Sequence, residues 1–346
     1  MKKNNKPTIK QIAEQAGVSP STVSLVLNGK GEISGVTRSR VLEVVSSLNY
    51  LPRAPKNREK TAKTIKFLKI AKHGHTVNRD HSHFISDYID GMSSEATSRG
   101  YKLQVLSYEN VTASDITDIL ANSDATAAII LGTELTREDI QKIQDFRLPT
   151  VFIDSFYDLI DANFVDMNNG DAVYTVLSHL KDLGFSKIGF VGSETQTRNF
   201  ALRKKAFQKN MHHLGLTVNS SHILSIGSTI SSAYEDSFKA LSNHGSVAEA
   251  YFCANDIMAY GFTKALKEKG YKIPQDISIV GFDNLPMSAT LDPPLTTIDV
   301  SKRKIGSMAV TVLDELLNAE GSLPAVKVQV GAELVVRAST ASKKTG

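Results

Sequence analysis

The chain has 346 residues, 41% hydrophobic and 22% charged, which suits a globular protein of two or three domains and excludes a disordered or fibrous one. No apolar run reaches membrane-spanning length, no apolar stretch follows the basic N-terminus as a secretory signal requires, and a lone cysteine allows no intrachain disulfide, so a cytoplasmic location is expected. The net charge of +4 hides an asymmetry: residues 1–64 carry twelve Lys/Arg against four Asp/Glu, while the remainder carries 28 against 32. A basic head on a mildly acidic body points to nucleic acid as a partner.

The first predicted element lies in TIKQIAEQAGVSPSTVSLVLN, residues 8–28. Ile9, Ile12, Ala13 and Ala16 recur at helical spacing, and Gly17 ends that helix where a left-handed backbone is easy. Ser19 is a natural N-cap for a second helix with Pro20 at its first position, and Val23, Val26 and Leu27 form its apolar stripe. Two such helices joined by a tight turn form a helix-turn-helix that leaves Ser21, Thr22, Ser24 and Leu25 facing outward, where a DNA groove would meet them. An ordinary helical hairpin within a larger core is the plain alternative. A third helix is expected at 37–48, capped by Thr37, with Tyr50 and Leu51 closing the small core before Pro52.

The stretch RAPKNREKTAKT, residues 53–64, is basic, polar and broken by Pro55, and reads as a linker. Beyond it, strands are expected at IKFLKIA, KLQVLSY, AAIIL, TVFID, KIGFVG, AYFCA and ISIVGFD, with helices including 87–98, 171–183, 201–214, 232–243 and 257–268. Alternating strands and helices imply parallel βαβ units, here too many for one compact sheet. Cys253, inside AYFCA, reads as a buried, inert thiol.

These segments together resemble the LacI/GalR (lactose/galactose repressor) family. The resemblance is carried by TIKQIAEQAGVSPSTVSLVLN, ISGVTRSRV, NYLP, HLKDLGFSKIGFVG, CANDIMAYGF, IPQDISIVGFDN, PPLTTIDVSKRKIG and LVVRAST, and runs from Thr8 to about Ser339. It implies an all-α helix-turn-helix head on an α/β two-lobed, periplasmic-binding-protein-like core made of two parallel-sheet, Rossmann-like subdomains. The domains would be 1–52 for the head, 53–63 for the hinge, and 64–346 for the ligand-binding and dimerisation core. Lobe 1 would take about 64–166 and 299–324, lobe 2 about 167–298 and 325–340. The implied function is a sequence-specific transcription regulator, a repressor, acting as a homodimer on a pseudo-palindromic double-stranded operator. A small carbohydrate-like effector between the lobes would change its affinity for that operator.

By the same resemblance, Thr8, Thr22, Ser24, Asn28, Ser34, Thr37 and Arg38 match positions that hold phosphates, and Pro20, Ser21 and Leu25 match positions that read bases. Leu25 departs from the pattern, since many members carry arginine there. Leucine offers only an apolar contact, for example to a thymine methyl, so the operator is expected to lack a guanine requirement at that base pair. The hinge departs too. Glu59 stands where members carry a leucine that wedges into the minor groove, so binding there falls to Arg53, Lys56, Arg58 and Lys60, with less kinking of the DNA.

For the effector, the resemblance implies Ser82 and Phe84 in the first lobe, Asp154 ending TVFID, Arg203 in ALRKKAF, Asn255 and Asp256 after AYFCA, and Asp283 after ISIVGF. Carboxylates, amides and a guanidinium suit the vicinal hydroxyls of a sugar or polyol. Capping of a helix or turn is the plain alternative for Asn255 and Asp283. Ser228 stands where some relatives place an aromatic platform for a sugar ring. The histidines His73, His75, His81, His83, His212 and His213 lack metal-ligand spacing, so no metal is expected, and no cofactor fingerprint or nucleophile with a base is found. A sugar-binding protein or enzyme built on the same core is the competing reading, and a protein co-regulator is a third.

Overall fold

The computed structural model describes residues 8–27, 33–48, 63–72, 82–195, 197–243 and 246–343. The chain divides into two compact units, Met1–Thr61 and Ala62–Gly346.

In the first unit, helix α1 (Ile9–Ala16) starts with a capping box: Thr8 Oγ1 accepts from the Gln11 N–H while Gln11 Oε1 accepts from the Thr8 N–H. Gly17 closes the helix at φ +64, the left-handed conformation that glycine adopts without steric cost. Helix α2 (Pro20–Leu27) follows, with Ser19 Oγ accepting from the Thr22 N–H at 3.1 Å. Helix α3 (Gly35–Ser47) begins two residues before its expected start. Its N-cap is Ser34, not Thr37. Ser34 Oγ accepts from the Thr37 N–H, because Thr37 falls at the third helical position and there supplies the donor. Ile12, Ala13, Ala16, Val23, Val26 and Val41 fill the core between the three helices. Tyr50, Leu51 and the whole 53–62 stretch lie outside the described residues.

The second unit holds two parallel sheets. The first contains β1 (Thr64–Ala71), β2 (Lys102–Glu109), β3 (Ala127–Leu131), β4 (Thr150–Ile153), β5 (Asn163–Met167) and β11 (Lys327–Val330), in the order β11-β5-β4-β3-β1-β2. Helices α4 (Ser82–Ser98), α5 (Ala113–Ala121) and α6 (Arg137–Gln144) connect its strands. Its central strands are apolar on both faces. Leu68, Ile70, Ile130, Phe152 and Phe164 pack to one side; Ile65, Phe67, Ile129, Val151, Ile153 and Val165 pack to the other. That period-2 division of two buried faces is what helices on both sides of a parallel sheet require.

The second sheet contains β6 (Ile188–Ser193), β7 (Ile223–Ile226), β8 (Ala250–Cys253) and β9 (Ser278–Val280), in the order β7-β6-β8-β9. Around it lie α7 (Asn169–Asp182), α8 (Arg198–His213), α9 (Ile230–Asn243) and α10 (Asp256–Glu268). Strand β10 (Thr297–Val300) pairs antiparallel with β12 (Ala332–Val335). Between them α11 (Lys302–Asn318) returns to the first lobe and packs on α4. The two helix backbones approach so closely that a Cβ at Gly306 would sit 2.2 Å from the Tyr88 carbonyl oxygen, and one at Gly91 would sit 2.0 Å from that of Arg303.

One expected boundary is corrected. The resemblance assigns residues 325–340 to the second lobe, yet β11 pairs in parallel with β5 of the first sheet, Val328 opposite Val165. Four alternating residues between loops carry too weak a pattern to show which sheet edge they join.

Candidate functional site

The cleft-facing groups come from the carboxyl ends of strands in both lobes, the usual place for a ligand in open α/β sheets. Asp154 follows β4 with φ +57, and Asp283 follows β9 with φ +108. Neither is glycine, so each carries a backbone cost of about 1–3 kcal/mol, a kind of strain that concentrates at functional sites.

Asp154 is buried and well supplied with donors. Its Oδ1 accepts from the Tyr88 hydroxyl at 3.1 Å and from Asn199 Nδ2 at 3.1 Å, and its Oδ2 accepts from the Thr133 hydroxyl. Tyr88 lies on α4 and Asn199 on α8, so Asp154 ties the first lobe to the second. Arg203 is almost fully buried on α8. Its Nε donates to Asn169 Oδ1 at 2.9 Å, its Nη1 to the Ala254 carbonyl at 2.6 Å, and its Nη2 lies 3.0 Å from Met167 Sδ and 3.5 Å from Asp283 Oδ1. The guanidinium stacks on Phe282 with its carbon 3.7 Å from the ring centroid, a cation–π arrangement. Asn169 Nδ2 then donates to Asn199 Oδ1 at 2.9 Å, which completes a chain of hydrogen bonds from Arg203 to Asp154. A second bridge runs beside it, where Arg198 Nε donates to the Phe156 carbonyl at 2.7 Å with its guanidinium over the Tyr157 ring.

Burial pushes the Asp283 carboxyl up to about 6, against the pull of Arg203 and Lys302 and with a further push from Asp154. Lys302, at the start of α11, donates to the Asp283 carbonyl at 2.7 Å. Burial pushes Asp256 up to about 7, helped by Asp283. Asp256 nevertheless has its donors inside the second lobe: Thr297 Oγ1 on one oxygen, Ser288 Oγ and the Leu285 N–H on the other. Asn255 is the N-cap of α10, its Oδ1 accepting from the Met258 N–H at 2.8 Å. Both side chains are fully buried, with these partners inside the second lobe. Phe84 packs edge-on against Tyr88, with 5.0 Å between ring centroids, and lines a cavity of about 220 Å³ with Asn284, Lys302 and Arg337. Ser82 is exposed in the first turn of α4. Ser228 is buried with its hydroxyl 3.2 Å from that of Thr195.

Three members of this network escape the sequence reading: Tyr88, Asp166 and Asn199. Asp166 has a usable signal, a single carboxylate inside the apolar run NFVDM. It is fully buried in β5, with Asn199 Nδ2 3.4 Å from its Oδ1. Burial, then the neighbouring Asp154, holds its carboxyl well above the usual carboxylate range. Tyr88 and Asn199 leave no signal, since an aromatic and an amide on helices read as core and surface.

On the head, Pro20, Ser21 and Leu25 are exposed on one helix, Leu25 at 39%, while Thr22 and Ser24 are half-buried. Thr8 and Ser34 are both exposed and act as helix caps. Thr37 and Arg38 are half-buried in the first turn of α3. Asn28, Arg53, Lys56 and Arg58 lie outside the described residues, as do Glu59 and Lys60. Among the described residues no three potential metal ligands group together, and no helix is long and apolar enough to cross a membrane.

Residues 8–53 match the profile of bacterial regulatory proteins, lacI family, and residues 177–340 match that of a periplasmic binding protein-like domain. The HTH-type transcriptional repressor PurR of Pasteurella multocida (strain Pm70) is 30% identical over 97% of this chain and 99% of its own length. The repressor of the same name from Photobacterium profundum is 30% identical over 96% and 98%. The chain belongs to the LacI family. A solved lac repressor dimer, bound to operator and the anti-inducer ONPF, is 25% identical over 97% of this chain and 100% of that one, with a TM-score of 0.72. The CelR–cellobiose complex, 19% identical with a TM-score of 0.71 over 96% and 99%, shares the fold. This LacI-family chain thus has the helix-turn-helix head and the two-lobed α/β core that its sequence leads one to expect.

Proposed function

We propose that this LacI-family regulator is a cytoplasmic transcriptional repressor that works as a homodimer on a pseudo-palindromic operator. A small polyol held between its lobes would set its operator affinity. The observation that carries the reading is the pairing of an exposed recognition surface, Pro20, Ser21 and Leu25 on α2, with a buried polar network joining two lobes of a separate unit. The head would span 1–52, the hinge 53–63 and the core 64–346. Thr8, Thr22, Ser24, Asn28, Ser34, Thr37, Arg38, Arg53, Lys56 and Arg58 would position the head on phosphates. Arg203, Asp154 and Asp283 would hold the effector. Asn255 and Asp256 would support them, with Phe84 and Ser82 at the mouth.

The relatives support a regulator and not an enzyme, because the two quoted above carry the name of transcriptional repressors over nearly their whole length. An effector whose contacts differ between two lobe arrangements shifts DNA affinity by its differential binding energy, typically about 1–3 kcal/mol. The test is footprinting of the purified full-length protein on genomic DNA, with and without a panel of sugars and sugar phosphates. Protected pseudo-palindromes that one sugar releases or strengthens are expected, with binding that weakens steeply as salt rises. Binding without sequence preference, or turnover of a sugar by the protein, sinks the reading.

A further inference from the structure

A second cavity, of about 260 Å³, lies in the second lobe between α8 and the carboxyl ends of β6 and β7. Thr197, the N-cap of α8, lines it together with Phe200, Ala201, Lys204 and Gln208, at the three- and four-residue spacing of one helix face. Asn199 and Arg203 carry the bonds between the lobes from a different stripe of the same helix. Among the described residues none of the cleft carboxylates lines this cavity.

Its chemistry has one sign. Lys204 and Lys205 both line it, and its described lining includes no Asp or Glu. Among the described residues neither ammonium has an ion-pair or hydrogen-bond partner. Hydroxyls add donors of the same sense. Ser193 Oγ accepts from the Thr195 N–H at 2.9 Å, and Thr197 Oγ1 accepts from the Phe200 N–H at 3.4 Å, which leaves each hydroxyl its own proton to donate. Thr197 is only 6% exposed, so its donor is held away from bulk water. The walls also include the apolar side chains of Phe190, Phe200 and Leu224.

We infer that this cavity is a second small-molecule site, and that it takes a small phosphate monoester. A phosphate group carries about −1.5 to −2 charges near neutral pH and offers acceptor oxygens, which two ammoniums and two hydroxyl protons with no carboxylate beside them complement. An apolar wall has nothing to offer a bare phosphate ion, so the site is assigned to an ester whose carbon body packs on Phe190, Phe200 and Leu224. The site stands apart from the effector reading of the cleft, and either can fail alone.

The experiment is calorimetric titration of the full-length protein with glucose 6-phosphate, fructose 6-phosphate and phenyl phosphate. Each is run beside inorganic phosphate and its unphosphorylated parent. At least one ester is expected to bind tenfold or more tightly than both. In the double variant Lys204→Gln, Lys205→Gln, checked for folding by its urea transition, that ester should lose tenfold or more in affinity. The double variant Lys209→Gln, Lys272→Gln removes the same charge from exposed positions outside the cavity, and should change the affinity less than twofold. An equal loss in both variants makes the effect one of net charge and overturns the site. Inorganic phosphate that binds as tightly as every ester overturns the assignment to an ester. No binding by any ester, or binding that survives the loss of Lys204 and Lys205, overturns the proposal outright.

Discussion

At the scale of single residues, Leu25 and Arg203 carry opposite lessons. Leu25 is an exposed apolar side chain on the face that would enter a groove, and leucine has no donor for a base edge. Leu25→Arg should therefore create a guanine preference of about 1–3 kcal/mol at one base pair, read by selection from a randomised operator. An unchanged preferred sequence would show that residue 25 meets no base. Arg203 stands out in the sequence for its likeness to a ligand-holding position, and the fold turns most of its donors onto the protein itself. Arg203→Ala takes from the Ala254 carbonyl and the Asn169 amide oxygen the donor they use, and removes the positive charge beside Asp283. It should cost the core about 3–5 kcal/mol in urea unfolding. Arg203→Lys should recover little of this, since one ammonium cannot reproduce a planar fork that reaches several partners at once. A variant as stable as the parent would place Arg203 outside the structural network.

Individual elements explain how the two lobes are joined. Helix α11 begins with Lys302, whose ammonium donates to the Asp283 carbonyl of the second lobe, and lies on α4 of the first, and its Gly306 lets the two backbones nearly touch. A methyl at Gly306 meets main-chain atoms of Tyr88 and Met92, which cannot swing aside as a side chain would. Gly306→Ala is thus expected to destabilise the core by about 1–3 kcal/mol or more and to shift Tyr88, one of the groups holding Asp154. The checks are the midpoint of urea unfolding together with effector affinity, and a neutral result in both would mean that the helices separate without cost. At the same scale the sequence is most legible where period and caps coincide. The helix-turn-helix can be read from its stripe, its Gly17 and its Ser19. AAIIL maps onto β3 without adjustment, because a short apolar run between polar turns has few other places to go. Strands β5, β7, β10, β11 and β12 escape the sequence reading: the last four are four-residue runs that carry almost no periodic signal, and in β5 the polar Asn163 and Asp166 interrupt a short buried run.

For the whole molecule, buried carboxyls set the response to pH. Asp256 and Asp283 rise from an ordinary 3.8 to about 7 and about 6 through burial in the second lobe and at the cleft. Each keeps its proton in the folded chain at pH values where the unfolded chain has lost it. The folded state is therefore favoured at the acidic end of this window, and stability falls as pH rises from about 4 to about 7. Each such proton contributes at most about 1.4 kcal/mol per pH unit. Carboxylates held low by hydrogen bonds or cations, such as Asp314 beside Tyr101 and Arg99, act in the reverse sense at lower pH. Urea midpoints of the full-length protein should accordingly decline from about pH 5 to about pH 7. A rise over that interval would contradict the burial of these groups in settings that disfavour their charge.

The sequence by itself determined that a basic helix-turn-helix head precedes an α/β core, because hydrophobic period, caps and charge are local properties of neighbouring residues. The family resemblance pointed to Asp154, Arg203 and Asp283, which lie after β4, on α8 and after β9. Only the tertiary structure decided how those groups spend their hydrogen bonds. Asp166, Asn199 and Tyr88 join the site from three elements far apart in the chain, and β11 chose the first sheet over the second. Those outcomes depend on long-range burial and on donors arriving from other elements, which no local pattern encodes.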